Sequence, residues 1–170
     1  MKKRETTAAD RAIEALEERW ANVAPGNLPY HILLLSKIID RTTAQHVRET
    51  ADLSLPEWRT MAHVHYLGLC SASEVASLAF VDRAEVSRAL GSLEERGLVR
   101  REPHPTKRNS RLVSLTDEGK KVHLSIRGER GRFFTDWVSD LDEAERKQLD
   151  SGLRQIIRRV VTLAPHVMDL

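Results

Sequence analysis

The segment from Ser54 to Leu115 is punctuated so closely that few folds can accommodate it. Ser54-Leu55-Pro56-Glu57 is a helix start, with serine as N-cap, proline in the first turn and glutamate placed to close a capping box. That helix carries Trp58, Met61, Ala62 and His65 and ends near Gly68. Ser71-Ala72-Ser73-Glu74 then opens a short helix with Val75, Leu78 and Ala79. After Phe80-Val81, Asp82 and Glu85 cap another, whose inner face is Val86, Leu90 and Leu93. Gly97 ends it as a C′ glycine. There the period changes from 3.6 to 2. Leu98-Val99-Arg100-Arg101 and Leu112-Val113-Ser114-Leu115 are two short strands around a polar hairpin loop from Glu102 to Arg111. Helix, short helix, tight turn, helix, strand, basic loop and strand, in that order, make a winged helix-turn-helix.

The flanks are helical. Ile13, Leu16, Trp20 and Val23 fall at helical spacing, so Thr7 to Ala21 is expected as an amphipathic helix, broken by Pro25-Gly26-Asn27. A second helix begins near Pro29. Its apolar stripe (Ile32, Leu35 and Ile39, with Leu34 and Ile38 beside them) is wide enough to suggest burial on two sides, one against a second subunit. Thr116-Asp117-Glu118 caps a long helix with Val122, Ile126, Phe133, Trp137 and Leu141 toward one side. Asp142 and Glu145 cap a last helix, in which Leu149, Leu153, Ile156, Ile157 and Val160 recur at coiled-coil-like spacing. The expected fold is mainly α with a small β-wing, in an intertwined homodimer. Its expected parts are an N-terminal extension (1–27), a first dimerisation helix (28–52), the winged helix-turn-helix (53–118) and C-terminal dimerisation helices (119–170).

Charge distribution says more than total charge, since the chain carries only a formal +2. From Arg96 to Arg111 there are six basic residues against one acid, Glu102. A helix that reads DNA docks one apolar face on its partner and presents short or forked polar side chains outward from its N-terminal half. Arg83, Ala84, Ser87 and Arg88 occupy those outward positions. Arginine can pair with guanine through two bonds, and Ser and Ala allow close approach to bases and thymine methyls. The expected contacts with double-stranded DNA are these four, Ser71 and Ser73 at the start of the preceding helix, and Lys107, Arg108 and Arg111 of the loop.

Leu55-Pro56-Glu57-Trp58-Arg59, Val81 to Arg88, Gly97-Leu98-Val99-Arg100-Arg101 and Val113 to Gly119 together resemble the MarR family, in the same order, within a stretch from about Leu28 to Val161. The resemblance implies a dimer built by the first and last helices of the family core, a recognition helix from Asp82 to Arg96 and a wing from Leu98 to Leu115. It implies binding to an inverted-repeat operator, release by a small anionic aromatic ligand or by oxidation, and repression rather than activation. The family's ligand cleft would here offer His31, Ser36, Trp58, Arg59 and His65. One departure stands out. The family's wing usually carries an Asp and, two residues later, an Arg; counted back from Thr116, those positions hold Lys107 and Asn109.

Other readings compete with this one. Cys70, the single cysteine, precedes a helix N-terminus whose dipole could activate it as a redox sensor, although a buried small hydrophobe is the commoner role. The histidines lack metal-ligand spacing, so no metal and no cofactor is expected. Nothing resembles a nucleophile–base pair or a phosphate loop, so no enzyme is expected. A winged-helix protein-interaction module without a DNA target is the rival from another class. With no signal-peptide core and no apolar run of membrane-spanning length, a cytoplasmic protein without membrane contact is expected.

Overall fold

The computed structural model describes residues 7–23, 26–107 and 110–168. The helices are α1 (Ala8–Val23), α2 (Leu28–Ala51), α3 (Leu55–Leu67), α4 (Ala72–Ala79), α5 (Arg83–Glu95), α6 (Asp117–Trp137) and α7 (Glu143–Leu163). The strands are β1 (Cys70–Ser71), β2 (Val99–Pro103) and β3 (Arg111–Leu115), and a single 3-10 turn (Pro165–Met168) follows α7. The chain divides into two compact units, Met1–Gln45 and His46–Leu170, each described here by itself.

The first unit holds α1 and most of α2. Thr7 caps α1, its hydroxyl accepting from the Asp10 amide at 3.1 Å while its own amide donates to the Asp10 carboxylate at 2.8 Å. The α2 stripe is only partly covered: Ile32 and Leu34 are half-buried, whereas Leu33 and Leu35 are exposed.

The second unit owes its shape to its caps. Ser54 and Glu57 close the expected box at α3, and Ser71 and Glu74 do the same at α4. Asp82 accepts from the amides of Ala84 and Glu85 to start α5. Gly97, at φ +67°, ends α5 in a Schellman turn: its amide donates to Glu94 and that of Leu98 donates to Leu93, both at 2.9 Å. This turn reverses the chain straight into β2. The core is Val47, Leu53, Met61, Val64, Val75, Val86, Leu90, Leu93, Val113 and Ile126, each almost fully buried. At roughly 1.5–3 kcal/mol per buried side chain, it dominates the stability of this unit.

The sheet has three strands rather than the expected two, in the order β1-β3-β2, all antiparallel. β1 adds Cys70 opposite Val113 and Ser71 opposite Leu112. The hairpin strands are also displaced from expectation: β2 runs to Pro103 and β3 begins at Arg111, which shortens the loop, while Leu98 stays outside the sheet as part of the α5 exit. At the base of the wing, Thr116 donates its hydroxyl to the Gly97 carbonyl at 2.7 Å and accepts from the Gly119 amide at 3.0 Å, which starts α6. Leu141 lies beyond the end of α6, in the turn to α7. Among the described residues no helix is long and apolar enough to cross a membrane.

Candidate nucleic-acid interface

The N-terminal half of α5 presents the face expected of a reading helix. Arg83, Ala84, Ser87 and Arg88 are exposed, while Val86, Ala89, Leu90 and Leu93 pack inward. The two arginines look to opposite sides. Arg83 and Ser87 line a groove of about 280 Å³ with Ser71 and Ser73 of the α4 start and with Arg101, Ser110 and Arg111 of the wing. Arg88 lines a second groove, of about 390 Å³, with Ser54, Pro56, Glu85 and Ser92. The fold thus brings five of the nine expected DNA-contacting residues, Ser71, Ser73, Arg83, Ser87 and Arg111, around one concavity. Ala84 and Arg88 stand on the same helix, and Lys107 is exposed in the wing loop. Arg108, like Asn109, lies outside the described residues.

The basic run is more divided than its count suggests. Arg96 donates to the carbonyls of Asp52 and Ala51 at 2.7 and 2.9 Å, closing the C-terminal end of α2. Arg101 pairs with Glu94 at 3.2 Å, and Arg100 donates to the Ser114 hydroxyl at 3.1 Å on the other face of the hairpin. Three of the six cations therefore brace the wing and its neighbours, and Lys107 and Arg111 are exposed in the wing. Ser71 is similarly committed: its hydroxyl donates to the Glu74 carboxylate at 2.7 Å. That bond and the Ser71 amide hold Glu74 below the usual carboxylate range.

The cleft candidates fall in both units. His31 packs on Trp20 with ring centroids 5.1 Å apart, and Ser36 is exposed on α2. In the second unit Trp58 and His65 sandwich a residue the sequence did not single out, His123 of α6, at 5.3 and 4.1 Å. His123 is 4% exposed and its Nδ1 has no hydrogen-bond partner among the described residues. Burial, with the nearby charges of His65 and Arg127, pushes its pKa down to about 4, so it is neutral. Trp58, 9% exposed, is thereby mainly a core residue. Arg59 is half-buried on α3, and its carbonyl accepts from His63 Nδ1 at 2.6 Å.

Cys70 does not have the character of a redox sensor. It is 2% exposed in β1, and burial, with the Glu74 charge, pushes its thiol up to about 11. The dipole of α4 is too weak to offset that desolvation, so the thiolate that oxidation requires is scarce at neutral pH.

The geometry defines a winged helix-turn-helix protein. Residues 51–108 match the sequence profile of the MarR family. The chain is 33% identical over 79 residues to an uncharacterized HTH-type transcriptional regulator, YdgJ, of Bacillus subtilis, a match spanning 46% of this chain and 48% of that one. It is 31% identical over 88 residues to the transcriptional regulator HosA of Escherichia coli, across 52% of this chain and 65% of that one. The chain thus spans about half to two thirds of the length of these relatives. A crystal structure of a mutant MarR from E. coli complexed with operator DNA superposes with a TM-score of 0.69 at 20% identity, covering 81% of this chain and 96% of that one. The likeness to the MarR family is carried by the winged-helix region.

Proposed function

We propose that this protein is a sequence-specific DNA-binding transcription regulator acting as a homodimer on an inverted-repeat operator. The observation that carries the reading is the groove between α5 and the wing, where Arg83, Ser87 and Arg111 stand around one open concavity. Forked cations and small hydroxyls at the start of an exposed helix suit base edges in a major groove, and cations on a hairpin suit phosphates and the minor groove. The MarR structure with operator DNA supports this use of the fold. Dimerisation, with dimer-forming segments at 28–52 and 119–170, is supported by the apolar side chains exposed on α7, among them Leu149, Ile157 and Val160. In such a dimer two copies of α5 would stand ~34 Å apart, one helical turn of DNA.

The finer reading is a repressor released by a small anionic aromatic compound (an aromatic acid or its CoA thioester) held near Trp58, Arg59 and His65. A coupling of about 1–3 kcal/mol between ligand and DNA suffices for such release. The test is a mobility-shift titration on the promoter region of the protein's own gene, across salt and with a panel of these compounds. Specific binding that weakens steeply with salt and is relieved by one compound is expected. Arg88→Ala should relax sequence preference by about 1–3 kcal/mol, whereas Lys107→Ala should weaken all DNA alike and reduce the salt slope by about 1. If both variants bind a specific operator as the parent does, the reading head is misassigned. If no promoter or genomic fragment is bound specifically at low salt, the protein-interaction reading takes its place.

A further inference from the structure

The start of the wing loop is held by a side chain that no sequence pattern singles out. His104 follows directly on β2, between Pro103 and Pro105, and its ring is half-buried. Its backbone amide donates to the Ser110 carbonyl at 3.0 Å, and the Ser110 amide donates to the Lys107 carbonyl at 2.9 Å. Inside the small ring so closed, His104 Nδ1 accepts from the backbone amides of Thr106 at 3.2 Å and Lys107 at 3.1 Å, with the Thr106 hydroxyl 3.3 Å away. A nitrogen that accepts from amides carries no proton. The ring is therefore neutral, with its proton on Nε2.

Two successive amides converging on one side-chain acceptor is the geometry an Asp or Asn supplies in a turn. Here an imidazole supplies it, and the position where the resemblance leads one to expect an aspartate is Lys107 itself. The exchange leaves the loop anchored without adding a negative charge beside the DNA-facing surface.

We propose that His104 is the positioning residue of the wing, its imidazole Nδ1 fixing the backbone that presents Lys107 to DNA. The proposal rests on the DNA-binding reading for its consequence, though not for the anchor itself. The charged groups around the ring include Glu74 of α4, whose carboxylate feels both His104 and Lys107, Lys107 in the loop, and Arg111 on the strand opposite Pro103. Asparagine at this position keeps a side-chain acceptor for the two amides, whereas alanine removes it.

Two measurements decide the matter. Imidazole ¹⁵N spectra of the free protein should show His104 with an unprotonated Nδ1 near pH 7.5. The Thr106 and Lys107 amides should be protected from exchange in the parent and in His104→Asn, and should lose that protection in His104→Ala. A proton on Nδ1 at pH 7.5, or amide protection unchanged in His104→Ala, overturns the anchor. Footprinting on the operator should then show wing contacts at the flanks that His104→Ala loses, with roughly tenfold weaker binding, and that His104→Asn retains. Wing contacts unchanged in His104→Ala overturn the positioning role. Failure of the parent protein to bind any specific operator overturns the DNA reading instead, and the ring and amide signals still decide the anchor.

Discussion

The reading head and the last helix are both amphipathic, yet one closes on itself and the other does not. In α5, Val86, Leu90 and Leu93 are no more than 1% exposed, covered by α3, α4 and the strands. In α7, Leu149 is 52% exposed and Ile157 62%, and no residue of the helix is fully buried. The caps are equally good, since Asp142 and Glu145 close a full box at α7. Local signals therefore make both helices, and only tertiary cover separates them. A head complete within one chain and a helix with an uncovered stripe fit an assembly in which the second copy supplies what the first lacks.

The comparison is broken most severely in the head, at Gly119. A β-carbon there would collide with the Leu98 carbonyl oxygen, because Thr116 pulls the first turn of α6 against the exit of α5. The same oxygen accepts the Thr116 amide at 3.1 Å and cannot move away without losing that bond. Gly119→Ala should cost roughly 3 kcal/mol in denaturant unfolding, comparable to overpacking a core. Gly152→Ala, in α7 with nothing within 4 Å, should be neutral or slightly stabilising. Equal effects at the two glycines would mean that the head is not the tightly closed unit described here.

The second prediction tests the open stripe. Leu153→Glu with Ile157→Glu changes side chains that are already exposed within one chain, so helicity should survive. Self-association should not. Light scattering should report a single-chain mass, and operator affinity should fall on the order of 100-fold as two linked half-site contacts become independent. A variant that keeps the mass of the parent shows that α7 is not the dimer seam.

These two regions also show how far the sequence could be read. Ser54 with Glu57, Ser71 with Glu74 and Gly97 announce their elements because caps and turns are local chemistry, set by residues a few positions apart. β1 was invisible: two residues have no period, and it is β3 that draws Cys70 and Ser71 into a sheet. The outward face of α5 was legible from spacing, but the division of labour among Arg96, Arg100 and Arg101 was not. Their partners Asp52, Glu94 and Ser114 are chosen by packing, which no count of charges contains. His123 escaped notice for the same reason. It is one polar residue in a helical pattern, and only the stack between Trp58 and His65 makes it a neutral core group.

That stack gives a third, smaller effect. His123 is held near a pKa of about 4 in the folded chain, against an ordinary value of 6.5, so the unfolded ring takes up its proton first. Its contribution to stability is complete above about pH 6.5 and is lost as the pH falls toward 4, on the order of 2 kcal/mol in all. His123→Phe keeps a ring in the stack and removes the titration, so its stability should decline less over that interval. Parallel pH profiles for the two proteins would place the acid sensitivity elsewhere in the head.

The smallest expected effect is at Cys70, and its smallness is the point. A helix N-terminus beside a cysteine ordinarily suggests a reactive thiolate, but here the thiol is buried opposite Val113 and directed at that residue's carbonyl, 3.8 Å away. Desolvation acts on the whole charge of a thiolate, whereas the α4 dipole offers about half a unit charge at its end. Peroxide at neutral pH should therefore leave operator binding by the parent within twofold of the untreated protein, and Cys70→Ser should respond in the same way. A peroxide-dependent loss of binding that Cys70→Ser abolishes would mean that β1 opens often enough to expose its thiol. The head would then be a less closed unit than α5 implies, and its difference from α7 one of degree.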